Sequence, residues 1–385
     1  SMKYREKESI HQEFERFMRD EMDDLEKKKY IKSDNYKTML NLLTKTLGAS
    51  NVLIKIMDPI VFLTSFSQTQ RCSTDEYVES LKSKGLYNDN TQRTSINHSY
   101  TGNYNIPVVV HVLYNTDEQN ISDARIYSQI ETLNNDYNAL NTELVDVPEE
   151  FQSVIGNVGF NFFLVQEDMN GAPCTGINRV YTEVDSFLGF TDDMKKSENG
   201  GVDAWSTECF LNIWVCNLSG NTLGFATMPE IVTDDLDGVV IDYEFFGVDL
   251  SSSSPYNLGK TGTHEVGHYF DLEHPFSGGC SDWDGCDDTP PIASSTFGCP
   301  DFPQESCNNV VSMTMNFMDY TNDACMYMFT QCQADIMLST LTTQRAILLE
   351  NSFCEYSNTH DFTSKKNPCL RCFYQEDSIT DEILN

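Results

Sequence analysis

The sequence predicts an α/β domain preceded by a mainly helical segment. Apolar runs of strand length alternate with helical patterning from residue 106 onward, whereas residues 3 to about 47 repeat charged and apolar positions at helical spacing. Between them, "NDNTQRTSINHSYTGNYN" (88–105) is polar, mostly uncharged and rich in turn formers, which marks it as a linker. The expected organisation is an N-terminal region (1–100), a main domain (101–350) and a short cysteine-bearing tail (351–385).

Each element has its own signal. "HQEFERFMRDEMDDLEKKKY" and "NYKTMLNLLTKTLG" read as solvated helices, the second ending at Gly48 as a C-cap, and "DEYVESLKSKGLY" (75–87) as a further short helix. "IPVVVHVLYN" (106–115) is a buried strand. In "SDARIYSQIETLNNDYNALN", Ser122 is the N-cap, and Ile126, Ile130, Leu133 and Tyr137 share one helical face. "VGFNFFLVQ" (158–166), "CFLNIWVCNL" (209–218), "TLGFATMP" (222–229) and "DGVVIDYEFFG" (237–247) complete the strands. After about Asn351 the chain is polar and carries Cys354, Cys369 and Cys372, read as tail cross-links.

With 59 acidic against 25 basic residues among 385, the net charge is -34, which disfavours nucleic acid and anionic membrane as partners and suits bound cations. Thirteen cysteines suggest an oxidised, secreted protein, and the odd count leaves at least one thiol unpaired. Sequons at Asn97, Asn120 and Asn217 fit secretion but carry little weight. No apolar run reaches membrane-spanning length, and Ser1-Met2 reads as an expression scar.

"THEVGHYFDLEHPF" (263–276) concentrates the chemistry. His264 and His268, four apart on a helix, can present two imidazoles to one metal, with Glu265 beside them as a base. His274 follows six residues after His268, where a helix that ends and turns could return a third nitrogen. Three protein ligands and one open position are what a hydrolytic zinc site requires. The bland alternative is a pair of surface histidines.

H-E-x-x-H-x-x-x-x-x-H followed by a methionine, here Met318 in "NFMDYTNDACMYMFTQCQ", is the metzincin pattern. The ordered segments "IPVVVHVLYN", "LNIWVCNL", "LGFATMP", "DGVVIDYEFFG", "NLGKTGTHEVGHYF", "DDTPP" and "NFMDY", over about residues 104 to 345, closely resemble the pappalysin (cytophagalysin) family of metzincin endopeptidases. The resemblance implies a metzincin catalytic domain: a twisted, mostly parallel sheet with an antiparallel edge strand, "TLGFATMP", that holds substrate by main-chain hydrogen bonds, plus an active-site helix. It implies His264, His268 and His274 as Zn2+ ligands, Glu265 as general base towards a zinc-bound water, Tyr320 as a donor to the oxyanion, and Met318 as a packing residue.

The same resemblance implies Cys280–Cys307 and Cys299–Cys325 disulfides in the loops of the primed-side pocket. It also makes Asp284 and the main-chain oxygen of Thr289 candidate Ca2+ ligands in "CSDWDGCDDTPP", which does not fit an EF-hand. Cys209 and Cys216 lie seven apart on one apparent strand and should not bond each other. "QRCSTDEY" resembles the R-C-G-T stretch of pappalysin prosegments, so Cys72 is expected to ligate zinc in a latent form, although Ser73 replaces the glycine. Residues 1–100 would then be an inhibitory prosegment removed by an activating protease near Arg93. A lone cysteine is otherwise a small core residue.

One residue departs from the pattern. Asp271 stands where metzincins usually carry glycine, because the helix must stop there with φ above zero; a Cβ costs roughly 1 to 2 kcal/mol in that conformation, less for Asp. The expected function is a secreted zinc endopeptidase acting on peptide or protein substrates, with Asp319 and Asp323 favouring a basic residue after the scissile bond. The alternative is a secreted, non-catalytic binding or matrix protein on a degenerate metzincin fold.

Overall fold

In the computed structural model the described residues are 71–87, 103–168, 172–229, 234–281 and 284–350. They belong to the second of two units into which the chain divides, Gln70–Asn385. The helices read before residue 70, the linker around Arg93 and the cysteines of the tail lie outside them.

The strands are β1 (Tyr104–Tyr114), β2 (Phe160–Leu164), β3 (Ile177–Tyr181), β4 (Phe187–Leu188), β5 (Leu211–Cys216), β6 (Leu218–Ser219), β7 (Gly224–Ala226) and β8 (Val239–Asp242). The helices that position the site are α1 (Thr74–Ser83), α2 (Asp123–Tyr137), α3 (Lys260–Tyr269) and α4 (Gln331–Thr342). Valine-rich β1 is central and buried on both faces, as a parallel strand covered on both sides must be. It pairs in parallel with β2 along its first half, β3 along its second half, and β5 on its other side. β8 extends the sheet in parallel beyond β5, and β7 closes it as an antiparallel edge, the arrangement the family resemblance implied.

Ser122 caps α2 by accepting from the Arg125 N–H, and Ile126, Leu133 and Tyr137 are buried on one sheet face with Ile130 packed against them. The opposite edge of the sheet is blunted locally: the Asn134 side chain bonds both N–H and C=O of Phe162 (2.7 and 3.0 Å), and Asn138 donates to Phe160 O (2.6 Å). The second face, with Leu113, Trp214, Phe225 and Val240, is covered in part by Tyr77 and Leu81 of α1, both wholly buried. Burying these two side chains stabilises the docked α1 by roughly 3–6 kcal/mol.

Among the elements that the sequence reading does not contain are β3, the two-residue β4 and α4. β3 lies in a stretch with no clean alternation and only intermediate burial. α4 did have a signal, since Thr330 and Gln333 form a capping box.

Candidate active site

Helix α3 is buried along its whole length, so its polar residues all have to be satisfied or used. At its start, Lys260 pairs with Asp136 (2.7 Å) and the Thr263 hydroxyl donates to the same carboxylate (2.6 Å), fixing the helix on α2. Burial pushes the Asp136 carboxyl up to about 6, against the lowering pull of Lys260 and Thr263.

The end of the helix answers the question set by Asp271, which has φ +75°. Leu272 N–H donates to Gly267 O (3.0 Å) and Asp271 N–H to His268 O (2.9 Å), the paired bonds of a Schellman stop. Aspartate thus takes the left-handed position in place of glycine, and the turn is intact. The reversal also aims Leu272 O at His268 Nδ1 (2.6 Å) and brings His274 back to the helix.

His274 Nε2 lies 3.2 Å from His264 Nε2 and 3.0 Å from His268 Nε2. His264 Nδ1 sits 2.8 Å from Phe317 O, so both helix histidines point their other nitrogen at a carbonyl, which fixes Nδ1 as donor and leaves Nε2 as a bare lone pair. At most one proton is then available among three facing nitrogens. Such a cluster is repulsive by itself and fits a cation bound by imidazole. Burial, then the two neighbouring rings, depresses the His264 pKa well below normal, which keeps it neutral as a ligand must be. The Cys72 thiol completes the set: its Sγ and one ring nitrogen from each histidine all lie within 4.8 Å of one another.

Residues 71–74 cross this site. Cys72 Sγ (3.3 Å) and Thr74 Oγ1 (3.2 Å) both bond Glu265 Oε2, while Glu265 Oε1 has no hydrogen-bond partner. Burial raises the Glu265 carboxyl to about 8, against the lowering effect of those two bonds. Ser73 N–H donates to Gly224 O (3.0 Å) and Ala226 N–H to Thr74 Oγ1 (3.0 Å), so the β7 edge is used by the chain itself. The Tyr320 hydroxyl donates to Cys72 O (3.4 Å), and its ring stands 5.0 Å from that of His274.

Arg71, which the sequence reading does not single out, also lies beside the site. Its buried guanidinium donates to Thr321 O (2.8 Å), Asp323 Oδ1 (2.9 Å) and Met326 Sδ (3.0 Å), with Tyr256 beneath it. Of the two carboxylates expected to read a basic residue, Asp323 therefore holds one; Asp319 instead accepts from the Thr296 and Tyr320 N–H groups. Met318 packs under α3: a Cβ at Gly267 would stand 2.5 Å from its Sδ.

Cys280–Cys307 and Cys299–Cys325 are bonded as the resemblance implied, and Cys286–Cys332 adds a third bridge. Cys209 is disulfide-bonded while Cys216 is free, so those two do not pair. Cys72 is accompanied by Cys174 and Cys216 as free thiols among the described residues, so the odd count does not single it out. Asp284 accepts from Cys286 N–H (3.1 Å) and Thr289 Oγ1 (2.5 Å), and both Asp284 and Thr289 are buried.

Comparison with known proteins agrees with this geometry. The sequence profile of the Peptidase_M43 family, described as pregnancy-associated plasma protein-A, matches residues 195–342. An extracellular metalloprotease of Arthroderma otae is 32% identical over 244 residues, covering 61% of this chain and 76% of its own length. Several other fungal extracellular metalloproteases match over about half of their length. Mature mirolysin of Tannerella forsythia, solved with a cleaved peptide, superposes with TM-score 0.62 at 44% identity, covering 64% of this chain and 95% of that one. A Tannerella forsythia promirolysin mutant gives 0.64 at 37% identity, covering 78% and 95%. Among the described residues no helix is long and apolar enough to cross a membrane.

Proposed function

The chain belongs to the pappalysin (Peptidase_M43) family of metalloendopeptidases, and from that premise we propose a secreted, zinc-dependent endopeptidase held latent by residues 1–100. The observation that carries the reading is the convergence of the His264, His268 and His274 Nε2 atoms beside Glu265, with the Cys72 thiol as a fourth donor. Zn2+, when bound by these residues, supplies a Lewis acid that polarises the peptide carbonyl and acidifies water.

The remaining work falls to the protein. Glu265 takes the proton of the attacking water and delivers it to the leaving amine. Tyr320, whose hydroxyl already donates to a main-chain carbonyl at Cys72, donates to the carbonyl oxygen of the scissile bond as it gains charge. β7 aligns substrate through Gly224 O and Ala226 N, the atoms engaged by residues 73 and 74. Asp323 selects a basic side chain after the scissile bond, a preference supported by Arg71 in its pocket. Latency follows from one segment taking all these groups at once: Arg71 fills the basic pocket, Cys72 takes a metal position, Thr74 engages the base. Cleavage near Arg93 by an activating protease would release it.

The test is hydrolysis of quenched peptides after limited trypsin treatment, with a Glu265→Ala control; absence of cleavage at every stage of activation would overturn the reading. On the family resemblance we extend the proposal to Ca2+ at Asp284 and the Thr289 main-chain oxygen. EGTA should lower Tm in a manner reversed by Ca2+ and not by Mg2+; an unchanged Tm would remove calcium from it.

A further inference from the structure

Residues 71–87 make a second, metal-independent anchorage across β7 from Arg71. Phe225 is the middle residue of β7, and its ring lies on the sheet face away from α3, 4.7 Å from the ring of Tyr77. The Tyr77 side chain is wholly buried there, with Trp214 and Leu236 in the same cluster. The inner end of this pocket is polar. The Tyr77 hydroxyl donates to Asp192 Oδ1 (2.8 Å) and accepts from Lys195 Nζ (3.2 Å), which also donates to Leu236 O (2.7 Å). Lys195 is itself buried, its ammonium 4.7, 5.3 and 5.4 Å from the ring centres of Tyr77, Trp214 and Phe225.

We propose that this pocket, filled here by Tyr77, is a substrate subsite for a tyrosyl side chain on the amino-terminal side of the scissile bond. The proposal rests on the protease reading above. A strand added to the β7 edge alternates its side chains between the two sheet faces, so the substrate residue opposite Phe225 projects onto the Phe225 face, where the Tyr77 ring now lies. The basic pocket at Asp323 and this one lie at opposite ends of a segment that crosses the histidine cluster at Cys72, so a basic residue in the first leaves the second to residues before the scissile bond.

The chemistry of the pocket selects a phenol. Its walls are aromatic and aliphatic, and its end offers one donor and one acceptor to a single hydroxyl. Once Tyr77 leaves, Lys195 keeps Leu236 O and exchanges that hydroxyl for water, which a substrate hydroxyl would have to replace. A tyrosine restores the bond, a phenylalanine fills only the ring space, and an alanine does neither. Sites built around a hydroxyl discriminate strongly against analogues lacking it.

The experiment uses the full chain activated by limited proteolysis. Quenched peptides carry Arg after the scissile bond and Tyr, Phe or Ala at each of the four preceding positions. At one position kcat/KM should favour Tyr over Phe by at least about tenfold and over Ala by more. Binding of the same peptides to the Glu265→Ala chain, treated identically and read by fluorescence anisotropy, should give the same ranking. Lys195→Met, or Asp192→Asn if the first variant does not fold, should bring Tyr and Phe within twofold while both stay above Ala. Equal binding of Tyr, Phe and Ala peptides at all four positions overturns the subsite. Ranked binding without cleavage by the wild-type enzyme upholds the subsite and overturns the protease reading instead.

Discussion

Replacing Arg71 by alanine separates the two ways in which the crossing segment could be held. The guanidinium makes three buried bonds, to Thr321 O, Asp323 and Met326, and a charge-assisted bond to a carboxylate contributes about 1.5–3 kcal/mol. Asp323 keeps the Leu258 N–H (2.9 Å) and Lys260 N–H (3.2 Å) as donors after the change, so it is not stranded. A loss of about 3 kcal/mol is therefore reasonable, and it raises the open fraction of the uncleaved chain by roughly 150-fold. The assay is the rate of peptide hydrolysis by full chain whose linker is intact, Arg71→Ala against wild type, with Cys72→Ser alongside. Arg71→Lys should fall between, since it keeps charge and loses the two-pronged fork. A leak within twofold of wild type for Arg71→Ala would show that the Asp323 pocket contributes nothing to latency.

Three further outcomes are expected. Gly224→Ala would put a Cβ 2.9 Å from both Glu265 Cγ and Val240 O, so kcat/KM of the activated enzyme should fall at least about tenfold, and Tm should fall as well because the β8 carbonyl is main chain and cannot swing aside; unaltered kinetics would detach β7 from the base. Asp271→Val, which places a β-branched residue at φ +75°, should cost at least about 2 kcal/mol and weaken zinc retention through His268, measured by denaturant titration and metal analysis; unchanged stability and metal content would contradict the role given to this turn. His111 sits buried between Asn212 and Asn178, and burial lowers its pKa to about 4. Its folded state binds fewer protons than the unfolded one between pH 4 and 6.5, so its contribution is complete above 6.5 and disappears as pH falls through 4, roughly 3 kcal/mol in all. His111→Gln should flatten that part of the stability profile, and an unchanged slope would contradict the assignment.

What could be read from the sequence was local in the chain. The histidines, Glu265, Met318 and Tyr320 sit within short motifs, and the helix cap at Ser122 and the alternation of strands and helices are likewise local signals. Asp271 illustrates the limit of such a rule: the position demands positive φ, and glycine is only the commonest way to supply it. What was not legible depends on pairs distant in sequence. Arg71 meets Asp323 across 252 positions and Lys195 meets Tyr77 across 118, so neither shows as a pattern. Asp319 and Asp323 look equivalent on paper; both accept from backbone amides, and only the fold brings a guanidinium to Asp323. Cys286–Cys332 spans 46 residues and joins the loop after α3 to α4, a helix that the reading had not identified.

The most direct test of the account is peptidase activity measured before and after removal of the prosegment, in wild-type and Glu265→Ala chains of equal zinc content. The account predicts no activity from either intact chain, strong activity from the cleaved wild type that a chelator abolishes and Zn2+ restores, and none from the cleaved Glu265→Ala chain. Equal activity of intact and cleaved wild type, or undiminished activity in cleaved Glu265→Ala, would contradict it.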